Sequence, residues 1–316
     1  MQRYNCCWQG YSWQEVRATL QCDVDRRLSE VMVQSEVRPL KRVLLRHARD
    51  AFESNDAISA QWRGLNYLDE PDFDEACREY DAFADLLERL GTEIDWMIGD
   101  GSGLDSMYVR DASIVADGGA ILCSMGKGAR AAEPQAQART FRELGTPVLG
   151  TIEPPGTIEG GDVAWLDDQT LAVGRGYRTN DDGIAQLRRL LPDVELVRVP
   201  LPHFRGPGDV FHLMSILSPL AEDLLLVYSP LMPVPFRELL VDRGFGLVEV
   251  PEDEFDSQGC NVLTVAPRVA VAVEGNPETR RRMEAAGVEV HAFVGREISL
   301  KGCGGPTCLT RPLHRS

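Results

Sequence analysis

The sequence is short of positive charge. Of its 316 residues, 33 are lysine or arginine and 49 are aspartate or glutamate, for a formal charge of −16 and a sequence pI of about 4.8. A surface this negative repels phosphate backbones and anionic lipid heads, so nucleic acid and membranes are excluded as main partners, whereas a cationic small molecule is compatible with it. Long apolar runs are also missing: no stretch reaches the roughly 18 apolar residues that span a bilayer. Met1–Gly10 lacks a basic start followed by an apolar segment, so no secretory signal is expected and the chain reads as cytoplasmic. Eight cysteines are present, at 6, 7, 22, 77, 123, 260, 303 and 308, but no pair has CxxC spacing. Zinc fingers are disfavoured on that ground, and a disulfide framework does not suit a cytosolic chain of this length. No metal or cofactor is expected. What remains, with 43% apolar and 26% charged residues, is the balance of a soluble protein with a core.

Periodicity alternates short β-type runs with helical segments, an α/β pattern. The first unit has a strand at Arg38–Arg46, a long acidic loop from Asp50 to Asp74, a helix at Phe73–Leu90 and a strand at Glu93–Ile98. Four further units follow, each predicted as two strands, a helix and a strand. The second runs through Tyr108–Ala116, Ala120–Ser124, a helix at 132–144 and Val148–Thr151. The third has Val163–Leu166, Leu171–Val173, a helix at 183–191 and Leu196–Val199. The fourth has His212–Leu217, Leu224–Tyr228, a helix at 235–243 and Leu247–Val250. The fifth has Val262–Val265, Val269–Val273, a helix at 278–286 and Val288–Phe293. A ββαβ repeat of about 50 residues points to a solenoid or propeller, and the paired strands argue against a doubly wound sheet. With no linker visible, residues 1–316 read as a single domain, with 1–36 as an N-terminal extension packing on it.

Chemistry is sought first at the cysteines. Lys301-Gly-Cys-Gly-Gly-Pro-Thr-Cys308 is a glycine-rich turn that presents Cys308 at a strand entrance; such a thiol is either a buried structural one or a nucleophile awaiting a base. Five histidines make the search for that base short. His212 begins a β-type run and is either a core residue or a base facing a cavity, and His203 is the second choice. Glu159 precedes two glycines in Glu159-Gly-Gly-Asp162, and Asp111 ends Asp105-Ser-Met-Tyr-Val-Arg-Asp111. Each segment alone is explained by a turn or a strand end. Taken together, one Cys, one His and two carboxylates at comparable edges of different repeats form a convergent site.

These residues also carry a resemblance. Asp105–Asp111, Glu159–Asp162, Gly174-Arg-Gly-Tyr-Arg-Thr-Asn180, His212-Leu-Met-Ser215 and Gly304-Gly-Pro-Thr-Cys308, in this order, make the chain similar to the guanidino-group modifying superfamily of arginine deiminases, dimethylarginine dimethylaminohydrolases and amidinotransferases, from about Arg38 to the C-terminus. The resemblance implies a five-bladed α/β propeller of ββαβ repeats, the pentein fold, around a central active-site channel. It also implies Cys308 as nucleophile, His212 as general acid and base, and Glu159 and Asp111 as guanidinium-binding carboxylates, Glu159 completing the triad. By the same resemblance Asp105 holds the substrate α-amino group, and Arg178 and Arg130 hold its carboxylate. Leu65, Asn66 and Tyr67 in a glycine-led loop are lid candidates, the first two expected to contact substrate. No metal takes part, and the partner is a small guanidino compound, with a homo-oligomer left open.

The implied reaction is hydrolysis of arginine or an N-substituted arginine to citrulline through a Cys S-alkylthiouronium. Subfamily features are mixed. Met214 stands where deiminases carry an aspartate two residues after the histidine, and their helical insertion is absent, both as in dimethylarginine hydrolases. Asn261-Val-Leu-Thr-Val-Ala-Pro267 and the Gly304–Cys308 ending are deiminase-like. A dimethylarginine hydrolase is therefore the first expectation, arginine deiminase or dihydrolase the second and amidinotransferase the third. The fold class also includes a non-catalytic ribosome anti-association factor, but an inert binding protein has no need of the Cys, His and carboxylate set.

Overall fold

The structure is a computed structural model and describes residues 35–97, 103–208 and 211–316. All but two residues of the expected N-terminal extension 1–36 lie outside the described residues, as do Cys6, Cys7 and Cys22.

Short apolar runs dominate the strands. Leu224–Val227 and Gly119–Leu122 are buried at every position, as expected of strands covered on both faces. Strand β1 (Leu40–Leu45) runs parallel to β2 (Glu93–Trp96). In the second unit β3 (Ser113–Ala116) pairs antiparallel with β4 (Gly119–Leu122), and β5 (Val148–Thr151) returns parallel to β4. The pattern repeats in β6 (Val163–Trp165), β7 (Thr170–Arg175) and β8 (Glu195–Pro200), and in β9 (Leu217–Ala221), β10 (Leu224–Val227) and β11 (Gly246–Glu249). It recurs once more in β12 (Leu263–Ala266), β13 (Val269–Val273) and β14 (Glu289–Phe293). A parallel return needs a crossover, and a helix supplies it each time, for example Glu133–Leu144 between β4 and β5.

Among the described residues, no strand precedes β1 to serve as its hairpin partner. That place is taken by β15 (Arg311–Arg315), which pairs antiparallel with β1 at Leu40↔Arg315 and Leu44↔Arg311. The Ser316 amide extends the seam by donating to the Pro39 carbonyl at 3.1 Å. Pro312 is tolerated because β15 is an outer strand of its sheet. Five three-stranded sheets thus form the expected five-bladed α/β propeller, and the chain closes its own ring.

Three expected elements differ in detail. The strand predicted over Tyr108–Ala116 begins only at Ser113. The carbonyls of Asp105 and Tyr108 accept from Arg130 instead, at 3.2 and 2.9 Å, so this segment coils around a side chain and joins no ladder. His212 does not start a strand: it precedes a 3-10 turn at Leu213–Ser215, closed by its own amide on Ser215 Oγ at 3.1 Å. The acidic loop contains helices at Ala48–Phe52 and Asn55–Gln61, the latter capped by Ser54 Oγ. Only Ile58 is buried in that second helix, so it leaves no periodic trace in the sequence.

The helix Phe73–Arg89 shows how packing reaches the site. Asp72 caps it at 2.9 Å, and Phe83 packs on Phe293 with ring centroids 4.7 Å apart. From the same helix Glu79 accepts the amides of Arg296, Glu297 and Ile298 at 3.1, 2.7 and 3.1 Å. Those three bonds pin the segment that leads into the cysteine loop.

Candidate active site

Side chains from several blades meet in one pocket. Its walls include Asp105 and Asp111 from the turn before β3, Lys127 and Arg130 from the turn after β4, Arg178 after β7, and His212 before β9. The loop before β15 contributes Gly302, Cys303, Gly304 and Cys308. Tyr108 shapes this loop: a Cβ on Gly302 or Gly304 would collide with its ring.

Glu159 lies behind His212 and is fully buried. Its Oε2 bonds His212 Nε2 at 2.8 Å and accepts from Arg178 Nη1 at 3.2 Å, while Oε1 accepts the Lys127 amide at 2.9 Å. On the other edge of the imidazole, Nδ1 lies 3.8 Å from Asp111 Oδ1. Only glycine fits at 161, since a Cβ there would stand 2.5 Å from His212 Nδ1 and 2.8 Å from Asp111 Oδ1.

The electrostatics follow from this packing. Burial pushes the Glu159 carboxyl up, but the His212 hydrogen bond and the charges of His212, Arg178 and Arg130 win and hold it at about 2. Burial pushes His212 down; Asp111, Asp162 and the Glu159 bond overcome that and raise it to about 9. At neutral pH the two therefore form an imidazolium–carboxylate pair. Cys308 goes the other way. Burial, then the charge of Asp111, raise its thiol to about 12, against a smaller pull from the Asn261 hydrogen bond. The resting pair is thus a neutral thiol and a charged imidazole.

This charge state has a measurable consequence. Labelling of Cys308 by neutral iodoacetamide, followed by intact mass, is expected to rise steadily between pH 7 and 10 because thiolate limits it. A cationic haloacetamidine is expected to label the same residue readily at pH 7. Iodoacetamide labelling that levels off below pH 8 would rule out the neutral resting thiol.

The expected site residues differ in how they meet the pocket. Asp105, Asp111, Arg130, Arg178, His212 and Cys308 line it together. Arg130 is heavily engaged, with Nε and Nη2 on Glu133 at 2.8 Å each and Nη1 on Asp111. Leu65 meets the site through its carbonyl, which Lys127 Nζ reaches at 2.8 Å. Asn66, with φ of 66°, turns its amide to the Gly208 carbonyl at 3.0 Å. The second-choice base His203 is hydrogen-bonded to Tyr177 in an exposed position. Cys303 stands in the wall beside Cys308.

Three participants went unassigned in the sequence. Asn261 donates to Cys308 Sγ at 3.1 Å and accepts the Thr307 amide at 3.1 Å, fixing the thiol's direction. Glu133 holds Arg130 from three residues along one helical turn, a spacing that offered a signal. Lys127 lies between two glycines and reads in sequence as turn punctuation only. Asp111, Glu159 and His212 bring ligand-type atoms within 4.8 Å of one another, a spacing a divalent cation can use. Their oxygens already serve Arg130, Arg178 and backbone amides.

Known proteins share this arrangement of the chain. A family model described as arginine deiminase matches residues 105–243 and 234–315. The N(G),N(G)-dimethylarginine dimethylaminohydrolase of Streptomyces coelicolor is 30% identical over 238 residues, 74% of this chain and 84% of that protein. The arginine deiminase of Rhodococcus erythropolis is 28% identical over 249 residues, 66% of this chain but 60% of that protein, so the chain spans less than two thirds of its length. Among solved structures, the dimethylarginine dimethylaminohydrolase of Pseudomonas aeruginosa complexed with citrulline superposes with a TM-score of 0.68 at 24% identity, covering 86% of this chain and 98% of that one. That likeness is one of fold.

Proposed function

The chain belongs to the arginine deiminase family, and from that premise we propose that it hydrolyses a C–N bond of the guanidinium group in arginine or an N-substituted arginine, releasing citrulline and ammonia or an amine. The observation that carries this reading is the single pocket in which Cys308, His212 backed by Glu159, and Asp111 face one another.

Each residue has a step. Asp111 receives the guanidinium in plane, and the cation lowers the pKa of the Cys308 thiol, whose proton leaves to solvent. The thiolate adds to the guanidinium carbon. His212, already protonated, gives its proton to the departing nitrogen, and the C–N bond breaks to leave a thiouronium on Cys308. Neutral His212 then takes a proton from water, and the resulting hydroxide adds to the same carbon. Collapse breaks the C–S bond, the ureido product forms, and its surplus proton returns to sulfur. Glu159 keeps the imidazole oriented throughout and stabilises its charged form at the start and end of the cycle, acting by electrostatic preorganisation.

Met214, two residues after His212 and buried in the core with Leu213 and Leu217, leaves no carboxylate where deiminases carry an aspartate, and on that ground an N-alkylated guanidinium is favoured over an unsubstituted one. The test is incubation with arginine and with asymmetric dimethylarginine, measuring ammonia, dimethylamine and citrulline. Dimethylarginine is expected to turn over faster; faster turnover of arginine would reverse the order, and no citrulline from either would overturn the reaction. Both compounds carry the same α-ammonium, so their ratio reports the guanidinium end alone.

A further inference from the structure

The far end of the pocket already contains an ammonium group, and it belongs to the protein. Lys127 Nζ donates to Asp105 Oδ2 at 2.6 Å and to the Leu65 carbonyl at 2.8 Å, with its side chain only 12% exposed and that of Asp105 7%. The residue is also tied at its backbone, whose amide donates to Glu159 Oε1 at 2.9 Å. Asp105 is the carboxylate expected to receive a substrate α-ammonium, and the Leu65 carbonyl is the neighbouring acceptor. Both are occupied by one tethered cation. A free ammonium arriving with substrate must displace a competitor whose effective concentration is set by its short tether and does not fall on dilution.

The carboxylate side of the tail is different. Arg178 lines the pocket and, among the described residues, hydrogen-bonds only Glu159, through Nη1. Its Nε and Nη2 remain for an anion, which a guanidinium fork binds well. The tail end is thus open to a carboxylate while its ammonium position is filled.

We infer that the pocket is built for a guanidino acid whose α-nitrogen is uncharged, either acylated or absent, with Lys127 supplying the ammonium such a substrate lacks. The inference rests on the hydrolase reading above for the guanidinium end and departs from it at the tail, where the preferred compound lacks the α-ammonium of free arginine and its product is the corresponding ureido acid. Lys127 is then a specificity-determining residue: it sets which tail enters and takes no part in bond breaking.

Binding to the Cys308→Ser protein tests the tail separately from turnover. Arginine, 5-guanidinopentanoate and Nα-acetylarginine are titrated calorimetrically into that variant and into the same variant carrying Lys127→Met or Lys127→Arg. The two compounds without α-ammonium are expected to bind at least tenfold more tightly than arginine. Their advantage is expected to shrink at least tenfold with Lys127→Met and to persist with Lys127→Arg, which keeps the charge. If only Nα-acetylarginine gains, acylated arginines are the class; if only 5-guanidinopentanoate gains, the class is the desamino acids. Arginine binding as tightly as both, a preference unmoved by Lys127→Met, or no binding by any of the three overturns the inference. Failure of the reaction itself is read elsewhere, as absence of ureido product from all three with the unsubstituted protein.

Discussion

Replacing Cys308 by serine is expected to abolish citrulline formation, with kcat falling roughly 10⁴-fold or more, as for loss of a covalent nucleophile. The serine hydroxyl sits in the same direction, held by the Asn261 amide that now points at Sγ, but it cannot ionise in this environment. Even the thiol is pushed up to about 12 by burial and by Asp111. The melting temperature is expected to change little, because the substitution removes no packed volume of note. Citrulline assay and thermal melting on the same sample separate the two effects. A serine variant with substantial turnover would defeat the covalent mechanism.

Glu159→Gln is the second large effect, and it acts on activity and stability together. The amide keeps the shape but removes the charge that sustains both His212 and Arg178. Turnover is expected to fall roughly 10²–10⁴-fold as the imidazole loses its orientation and charge. Breaking a buried ion pair costs about 3–5 kcal/mol, which for a protein of this size lowers the melting temperature by on the order of 10 °C. The pH dependence has a definite sign. His212, ordinarily near 6.5, is raised to about 9 when folded, so its contribution is complete below 6.5 and lost as pH rises through 9. Glu159, ordinarily near 4.5, is lowered to about 2, so its contribution is present above 4.5 and lost as pH falls through 2. The melting gap between wild type and variant should therefore be widest between pH 4.5 and 6.5 and narrow towards pH 10. An equal gap at pH 6 and pH 9.5 would contradict the pairing.

Much of this was legible in the sequence because the repeat writes itself in hydrophobicity. Runs such as Leu224–Val227 and Val269–Val273 are buried and apolar along nearly their whole length, so the later blades could be counted without coordinates. The first blade was counted from two strands and a helix alone; its third strand, Arg311–Arg315, was not read, since it is short, mostly polar and some 270 residues from its partner. Cys308, Glu159 and Asp111 stood out as candidates because glycines or turns flank them, and His212 because the chain has only five histidines. Lys127 and Asn261 were not given roles, because each does its work through a partner distant in sequence: Asp105 and Leu65 for one, Cys308 for the other. A contact of that kind leaves no spacing to read. His212 showed its importance but not its local geometry, since a single 3-10 turn ahead of a strand has no periodicity of its own.

The seam between β1 and β15 has a kinetic side as well. Leu40 meets Arg315 across almost the whole described chain, and pairings between such distant segments form slowly because their loop-closure cost precedes any reward. Cys308 lies on the loop between the fifth blade and that last strand, so the thiol takes up its position against Asn261 and Asp111 only as the ring shuts. A partly folded chain can hold complete blades, buried cores and an oriented His212 while its nucleophile is still out of place. Placement of Cys308 is in this way tied to closure of the ring, since the loop that carries it runs directly into β15.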